Sequence, residues 1–296
     1  MPSALVLRAP GSNCDQEMLR AFRLAGASTE LVHLDALIAD PATLDSFDLF
    51  GFPGGFSYGD DIASGRIFAM KVRERLYPAF RRAIERRCPI IGACNGFQTL
   101  VQIGLLPGPT SPTRPPSQRG QTGETADWPE TPPAQTVALS DNKDARFCDR
   151  WVPVQYNPNS VCIWTKGLVS GSATSPVSDY PIDALQLPVA HGEGRFVAMN
   201  DAVLDALEAQ GQVALRYADN YNGSARAIAG ICDASGLIFG LMPHPERFLE
   251  WTRHPWWTRL PSDLRARETP GMRMFRNAVE FVQQDRKAAK RTLAHV

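Results

Sequence analysis

Short apolar runs alternate with amphipathic segments over the first hundred residues of the chain. The runs have the length of buried strands, and the segments between them repeat apolar positions with the period of a helix. Such an alternation is typical of βαβ units, in which a mostly parallel sheet carries helices on both faces. The predicted strands are Ala4–Ala9, Thr29–Leu34, Asp48–Phe52 and Pro89–Ala93, and the predicted helices are Asp15 to about Leu24, Ile67–Arg87 and Gly96–Ile103.

The pattern changes at a proline-rich segment. Eight of residues 107–133 are proline, and few large apolar side chains are present to offset the entropy of ordering. We therefore expect a mobile surface insertion at about 107–134 within one domain spanning residues 1–296, and a partner-binding role for it stays open. The remaining predictions are strands at Gln135–Leu139, Trp151–Gln155, Val161–Trp164 and Leu187–Ala190, a hairpin of Ile228–Cys232 with Leu237–Leu241, and a helix Met272–Gln284 within a C-terminal helical extension at about 250–296.

Composition and charge exclude several classes of protein. The 31 basic and 31 acidic residues balance, whereas a nucleic-acid-binding protein normally has a basic excess. No apolar run approaches the roughly 20 residues of a membrane helix, and the N-terminus lacks the pattern of a signal peptide. The six cysteines are dispersed without a CxxC motif, which favours a reducing compartment over a disulfide framework or a zinc knuckle. We expect a cytoplasmic protein that binds neither nucleic acid nor a membrane.

A candidate nucleophile lies in the sequence Gly-Ala-Cys-Asn-Gly at 92–96, between a predicted strand and a predicted helix. A nucleophile elbow needs small residues around its central side chain because the strand-to-helix turn is tight. A helix N-terminus and a neighbouring base favour the reactive thiolate form of a cysteine. The alternative is a buried core cysteine, but that role does not call for glycine on both sides of Cys94. The backbone N–H of Asn95 is a candidate oxyanion donor.

A candidate base follows the last predicted strand, in the sequence Met-Pro-His-Pro-Glu-Arg at 242–247. Residues i and i+2 of an extended segment share a face, so His244 and Glu246 are predicted to pair as a general base and its orienting carboxylate. An isolated His-x-Glu is more often a turn histidine beside a surface glutamate, but here it accompanies the nucleophile elbow. A zinc deaminase is disfavoured because no P-C-x-x-C follows.

A glycine-rich loop, Pro-Gly-Gly-Phe-Ser-Tyr-Gly-Asp at 53–60, follows the third predicted strand. Consecutive glycines at 54 and 55 allow backbone N–H groups to approach a ligand, which suits a second oxyanion donor. A simple tight turn is an equally good interpretation of the loop alone. Phosphate binding is less favoured, since neither G-x-G-x-x-G nor a Walker lysine is present. Cys14 follows the first strand without flanking glycines, and we assign it no chemistry.

Together these segments resemble the class I (triad) glutamine amidotransferases. Within that family, the chain is similar to the glutaminase subunits of phosphoribosylformylglycinamidine synthase. The resemblance covers most of the chain outside 109–134 and the last thirty or so residues. It is carried by PGSNCD (10–15), GGFSYGDD (54–61), GACNGFQTLVQIGLLPG (92–108), HGEGRF (191–196), NGSARAIAGICD (222–233) and MPHPER (242–247).

The resemblance implies a flavodoxin-like α/β fold and a thioester mechanism. Cys94 would attack the side-chain amide of glutamine, and His244, oriented by Glu246, would transfer protons. The glycines at 54 and 55, together with Asn95 and Gln98, would bind the substrate and its oxyanion.

The resemblance also implies partners. The ammonia would pass to a synthase subunit that converts formylglycinamide ribonucleotide to formylglycinamidine ribonucleotide, with ATP and magnesium on that subunit and a small bridging subunit in many bacteria. It implies neither a metal nor a cofactor in this chain.

Three other functions stay open at this point. They are a glutaminase that feeds a different acceptor, a regulatory subunit without turnover, and a free-standing cysteine hydrolase or peptidase. His191 in HGEGRF has no assigned chemistry, and we expect its loop to lie near the site or at the partner interface. Trp251, Trp256 and Trp257 are candidates for partner contacts or for surface packing.

Overall fold

The computed structural model describes residues 1–109, 128–168 and 184–293. The predicted insertion at about 107–134 therefore falls mostly outside the described residues. The strands are β1 (Ser3–Arg8), β2 (Ser28–His33), β3 (Leu49–Phe52), β4 (Ile90–Ala93), β5 (Val137–Ser140), β6 (Cys148–Tyr156), β7 (Gln186–His191), β8 (Arg195–Ala198), β9 (Val213–Tyr217), β10 (Ile228–Cys232) and β11 (Ile238–Leu241). The α-helices are α1 (Asp15–Ala25), α2 (Leu34–Ala39), α3 (Arg66–Arg75), α4 (Tyr77–Glu85), α5 (Asn95–Ile103), α6 (Asp201–Ala209), α7 (Ser262–Arg265) and α8 (Pro270–Leu293).

A nine-stranded sheet in the order β2-β1-β3-β4-β11-β10-β9-β6-β7 forms the centre of the fold. The first five strands in this order pair in parallel, and the pairs that follow are antiparallel. Since β9 and β7 again run in the direction of β4, only β10 and β6 oppose the other seven strands. The predicted mostly parallel sheet is confirmed. Strands β5 and β8 form a separate antiparallel pair.

Helices cover both faces of the sheet, as strand β3 illustrates. Phe50 and Phe52 point to one face and pack against Phe80 of α4, with ring centroids 5.6 and 5.4 Å apart. Gly51 points to the opposite face, where a Cβ atom would meet Met18 of α1 at 2.6 Å. The α/β fold class predicted from the hydrophobic pattern follows from this alternation.

The register of β4 against β11 brings the two candidate catalytic segments together. Ala93 and Leu241, the last residues of these parallel strands, are direct partners. The N–H of Cys94 then donates to the carbonyl of Leu241 at 2.8 Å. The chain therefore leaves both strands at the same level of one sheet edge, which is where ligands bind in sheets of this kind.

Two predictions of secondary structure are wrong. The single helix Ile67–Arg87 is two helices, α3 and α4, separated at Leu76, because Pro78 has no N–H for a continuous helix but fits the first turn of a new one.

The predicted strand Val161–Trp164 is a loop. Its N–H groups at Val161 and Ile163 bind the carbonyls of Gly211 and Gly236, which belong to two different turns, so the segment joins no ladder.

Four elements escaped the sequence analysis, and one helix is longer than predicted. The additional elements are α2, β8, α6 and β9. Helix α8 begins two residues before the predicted Met272 and continues to Leu293. Among the described residues, no helix combines the length and the apolar character that crossing a membrane requires.

Candidate active site

Cys94 occupies the predicted tight turn between β4 and α5. Its backbone is strained, with φ 51° and ψ −110°. A Cβ atom on Gly96 would lie 1.9 Å from the carbonyl oxygen of Phe52, and one on Gly92 would lie 2.6 Å from the carbonyl oxygen of Gly96. Glycine on both sides is therefore required by the close approach of backbone to backbone. The Cys94 thiol is 5% exposed and donates to the carbonyl of Ala190 at 3.5 Å.

His244 and Glu246 form a buried pair directly after β11. Nδ1 of His244 lies 2.7 Å from Oε1 of Glu246, and the residues are 1% and 2% exposed. The expected extended geometry is wrong, because Pro245–Arg247 form a turn of 3-10 helix. The fixed φ of Pro245 suits the first position of such a turn, and the turn brings the carboxylate back to the imidazole.

The charges around His244 favour its protonated form. Burial lowers the pKa of the imidazole, but the carboxylate of Glu246 and the nearby thiols of Cys94 and Cys14 outweigh it, so the pKa of His244 is raised. An imidazole held in this way stabilises the positive charge that it acquires when it accepts a proton.

Helix α8 supports the turn that carries this pair. A Cβ atom on Gly271 would lie 2.4 Å from the carbonyl oxygens of both Pro245 and Phe248. The hydroxyl of Thr269 also donates to the carbonyl of Phe248 at 2.5 Å. The C-terminal extension is therefore part of the framework that positions the candidate base.

The glycine-rich loop passes close to His244. Gly55 has φ 135°, and the hydrogen bonds beside it, from Phe56 N–H to Gly11 and from Asn13 N–H to Gly54, do not use its own N–H. A Cβ atom on Gly54 would lie 2.6 Å from Cε1 of His244. The loop is both a tight turn and a backbone surface that can approach a ligand, so the two interpretations of its sequence are compatible.

Asn95 and Gln98 connect the elbow to the loop after β7. Asn95 is the first residue of α5, where a backbone N–H has no partner within the helix. Its side-chain amide donates to Asp60 and to Gln98, both at 3.1 Å. The Gln98 amide in turn donates to the carbonyl of Glu193 at 2.5 Å. The HGEGRF loop therefore lies beside the nucleophile.

His191, the last residue of β7, holds the start of this loop through two side-chain hydrogen bonds. Its Nδ1 lies 3.1 Å from Oδ1 of Asn142, and its Nε2 lies 2.7 Å from the hydroxyl of Tyr221. Burial lowers the pKa of His191 to about 3, so the ring is neutral at physiological pH. A Cβ atom on Gly194 would lie 2.1 Å from Nδ1, which explains a glycine there. His191 is therefore an uncharged structural residue that stabilises the loop.

The structure brings all the predicted site residues to one edge of the sheet, after strands β3, β4 and β11. It adds three side chains that the sequence analysis did not assign: Cys14, Asp60 and Glu193. Each follows a strand or lies in a quoted motif, so position at the carboxyl edge of the sheet was the available signal.

The surroundings of Asp60 favour its protonated form. Burial raises the pKa of its carboxyl group, a hydrogen bond from Ser64 lowers it, and the nearby Glu193 carboxylate raises it further.

The tryptophans of the C-terminal extension divide into two groups. Trp251 is buried and its indole N–H donates to the carbonyl of Arg267 at 2.8 Å. Trp256 and Trp257 are 46% and 36% exposed. Trp251 therefore packs inside the protein, whereas Trp256 and Trp257 are partly exposed rings that lie 6.3 Å from His254 and 5.8 Å from Arg265, respectively.

The fold and the site define a triad-type glutamine amidotransferase. The sequence profile described as the CobB/CobQ-like glutamine amidotransferase domain matches residues 1–282.

Proteins of similar sequence and structure narrow the assignment from the glutamine amidotransferase class to one family within it. The phosphoribosylformylglycinamidine synthase subunit PurQ of Dehalococcoides mccartyi is 39% identical over 286 residues, covering 95% of this chain and 97% of the relative. The PurQ subunit of Methanococcus maripaludis is 34% identical over 301 residues, covering 95% and 97%. The structure of PurLQS from Thermotoga maritima matches with TM-score 0.64 and 29% identity, covering 95% of this chain and 99% of the other. The chain belongs to the PurQ family of glutamine amidotransferases.

Proposed function

We propose that this chain hydrolyses glutamine through Cys94 and supplies the ammonia to an ATP-dependent synthase that makes formylglycinamidine ribonucleotide. In the first step the Cys94 sulfur bonds to the side-chain carbonyl carbon of glutamine. The carbon–nitrogen bond breaks, and the leaving nitrogen takes a proton from His244 to depart as ammonia. A water molecule then attacks the thioester, His244 accepts its proton, and glutamate leaves as the thiolate is restored.

The buried pair of His244 and Glu246 is the single observation that carries this proposal. The 2.7 Å contact holds the proton of the neutral ring on Nδ1 and leaves Nε2 to exchange protons with the thiol and the substrate. A non-catalytic subunit has no need to bury a histidine and a carboxylate in this geometry beside a strained cysteine.

Two backbone N–H groups are proposed to stabilise the oxyanion. Asn95 offers the N–H at the start of α5, and Gly55 offers one that its neighbours' hydrogen bonds do not use. Both are backbone groups held by hydrogen-bonded neighbours, so they need less reorganisation than a mobile side chain as charge develops. The carboxylates of Asp60 and Glu193, on either side of Ser64, are suited to the α-ammonium group of glutamine.

The synthase partner is proposed to dock over this edge of the sheet. Three apolar side chains there are exposed: Phe56 by 45%, Phe147 by 54% and Ile62 by 86%. The rings of Phe56 and Phe147 stack with centroids 6.2 Å apart. Ile62 has φ 75°, which is strained for a β-branched residue and is typical of functional loops. An apolar rim around the nucleophile allows a partner to enclose the ammonia away from water.

The remaining features of the proposal concern the complex and its location. ATP and magnesium are assigned to the synthase, and a small bridging subunit is expected to complete the assembly; the similar Thermotoga maritima structure is that of PurLQS. All six cysteines are free thiols, which supports a cytoplasmic location.

The test is release of glutamate from glutamine, with and without the cognate synthase, ATP and formylglycinamide ribonucleotide. We expect release to depend on Cys94, to rise in the complex, and to be matched by formylglycinamidine ribonucleotide. The control is Cys88→Ser, a buried thiol before β4 that should retain full activity. Absence of release in the complete complex would leave a binding subunit, and peptide cleavage would indicate a hydrolase instead.

A further inference from the structure

A second thiol lies against the candidate catalytic pair. Ligand atoms of Cys14, His244 and Glu246 all lie within 4.8 Å of one another, and all three residues are buried. A Cβ atom added to Gly54 would lie 3.3 Å from both the Cys14 sulfur and Nδ1 of His244. Cys14 and Nδ1 of His244 therefore both lie next to Gly54, within 4.8 Å of the Glu246 carboxylate.

From this cluster we infer that the chain has an inhibitory zinc site formed by Cys14, His244 and Glu246. Thiolate, imidazole and carboxylate are the ligands that zinc prefers in proteins. Ligand atoms around tetrahedral zinc are about 3.5 Å apart. Since all three ligand atoms lie within 4.8 Å of one another, no pair must close by more than about 1.3 Å, and the 2.7 Å pair of His244 and Glu246 must open by about 0.8 Å. Water would complete the fourth position.

An unused carboxylate oxygen supports the site independently. Oε2 of Glu246 is buried and has no hydrogen-bond partner among the described residues. The Glu246 carboxylate therefore has an oxygen free to bind a metal. Burial raises the pKa of the Cys14 thiol, and the guanidinium of Arg247, which donates to its sulfur at 3.1 Å, opposes this effect. Two anionic ligands then neutralise the charge of the divalent ion.

Zinc at this position inhibits the proposed reaction by fixing the wrong tautomer. The metal replaces the proton between Nδ1 of His244 and Glu246, and Cys14 releases its proton to solvent. A neutral imidazole bound through Nδ1 carries its remaining proton on Nε2, so it cannot accept a proton from Cys94. The inhibition rests on the proposed glutaminase reaction, whereas the binding does not.

Binding is tested on the full chain by calorimetric titration with Zn²⁺ and by the absorption of bound Co²⁺, whose thiolate charge-transfer band reports a sulfur ligand. We expect one equivalent of Zn²⁺ in the native protein, in Cys94→Ser and in the control Cys88→Ser. We expect Cys14→Ser to bind at least about a hundredfold more weakly and to lose the thiolate band. Unchanged binding by Cys14→Ser, or loss of binding in Cys94→Ser, would overturn the site.

Inhibition is tested by glutamate release, with each rate expressed relative to the same variant without zinc. We expect Zn²⁺ to inhibit the native protein and Cys88→Ser equally, a chelator to reverse the effect, and Cys14→Ser to need at least about a hundredfold more Zn²⁺. Equal sensitivity of Cys14→Ser would refute the inhibitory role. If the zinc-free protein releases no glutamate even in the complete complex with the synthase, the proposed function fails, while the titrations still decide whether the site exists.

Discussion

Replacing Glu246 by glutamine tests the proposed base most directly, because the substitution keeps the volume and removes the charge. In the native protein the carboxylate holds the Nδ1 proton of His244 across 2.7 Å in a fully buried contact. Glutamine can donate its amide to Nδ1 and so favour the unproductive tautomer. We expect kcat for glutamate release to fall by about 10²- to 10⁴-fold with a stable fold. Steady-state kinetics measure the effect.

The same variant has a characteristic dependence of stability on pH. Glu246 raises the pKa of His244 above its ordinary value of 6.5. The contact therefore stabilises the folded state fully below pH 6.5, and this stabilisation is lost as the pH rises through the raised pKa. In the variant, burial remains and lowers that pKa. We expect Glu246→Gln to reduce the free energy of unfolding by about 3 kcal/mol at pH 6, and by less at pH 9.

Denaturant unfolding at the two pH values measures this difference. The matched control is Glu250→Gln, whose half-exposed ion pair with Arg20 contributes at most about 1 kcal/mol. A kcat within about threefold of native, or a stability difference that grows with pH, would refute our assignment of the orienting role to Glu246.

Three further variants test other parts of the site. Gly54→Ala should displace Cε1 of His244 by roughly 0.8 Å and lower kcat about 100-fold, and an unchanged kcat would show that the loop does not position the base. Because burial keeps His191 neutral in the folded protein while the unfolded chain protonates it, the free energy of unfolding should fall by about 2 kcal/mol between pH 7 and pH 5 through this residue. In His191→Gln, denaturant unfolding at the two pH values should no longer show this contribution. Ile62→Asp should weaken binding to the cognate synthase at least about tenfold by calorimetry, whereas Leu24→Asp, at the far end of α1, should not; equal effects would place the interface elsewhere.

Local chemistry explains why much of the fold and site was predictable. The elbow around Cys94 needs glycine wherever backbone meets backbone, and that requirement is visible as a five-residue motif. The pairing of His244 with Glu246 also follows from proximity in sequence, although the turn that achieves it differs from the extended segment expected. Strands β1, β3 and β4 are continuous apolar runs because both of their faces are covered.

One error arose where the partners of a segment lie far away in sequence, and the other where a proline interrupted an otherwise continuous apolar pattern. Val161–Trp164 is as apolar as a strand, but its N–H groups bind turns near residues 211 and 236, so its hydrophobicity reflects burial in a loop. The apolar pattern of Ile67–Arg87 continues through Pro78 because α3 and α4 pack against the same sheet, and only the missing N–H separates them.

The sequence by itself determined the class of fold, the candidate nucleophile and the candidate base with its paired carboxylate, because each depends on residues within one strand, turn or helix. Only the tertiary structure decided which of these groups meet. The register of β4 against β11 brings Cys94 to His244, helix α8 secures the turn that carries Glu246, and the first loop places Cys14 against the imidazole. Such contacts depend on packing between distant segments, which no local pattern of residues encodes.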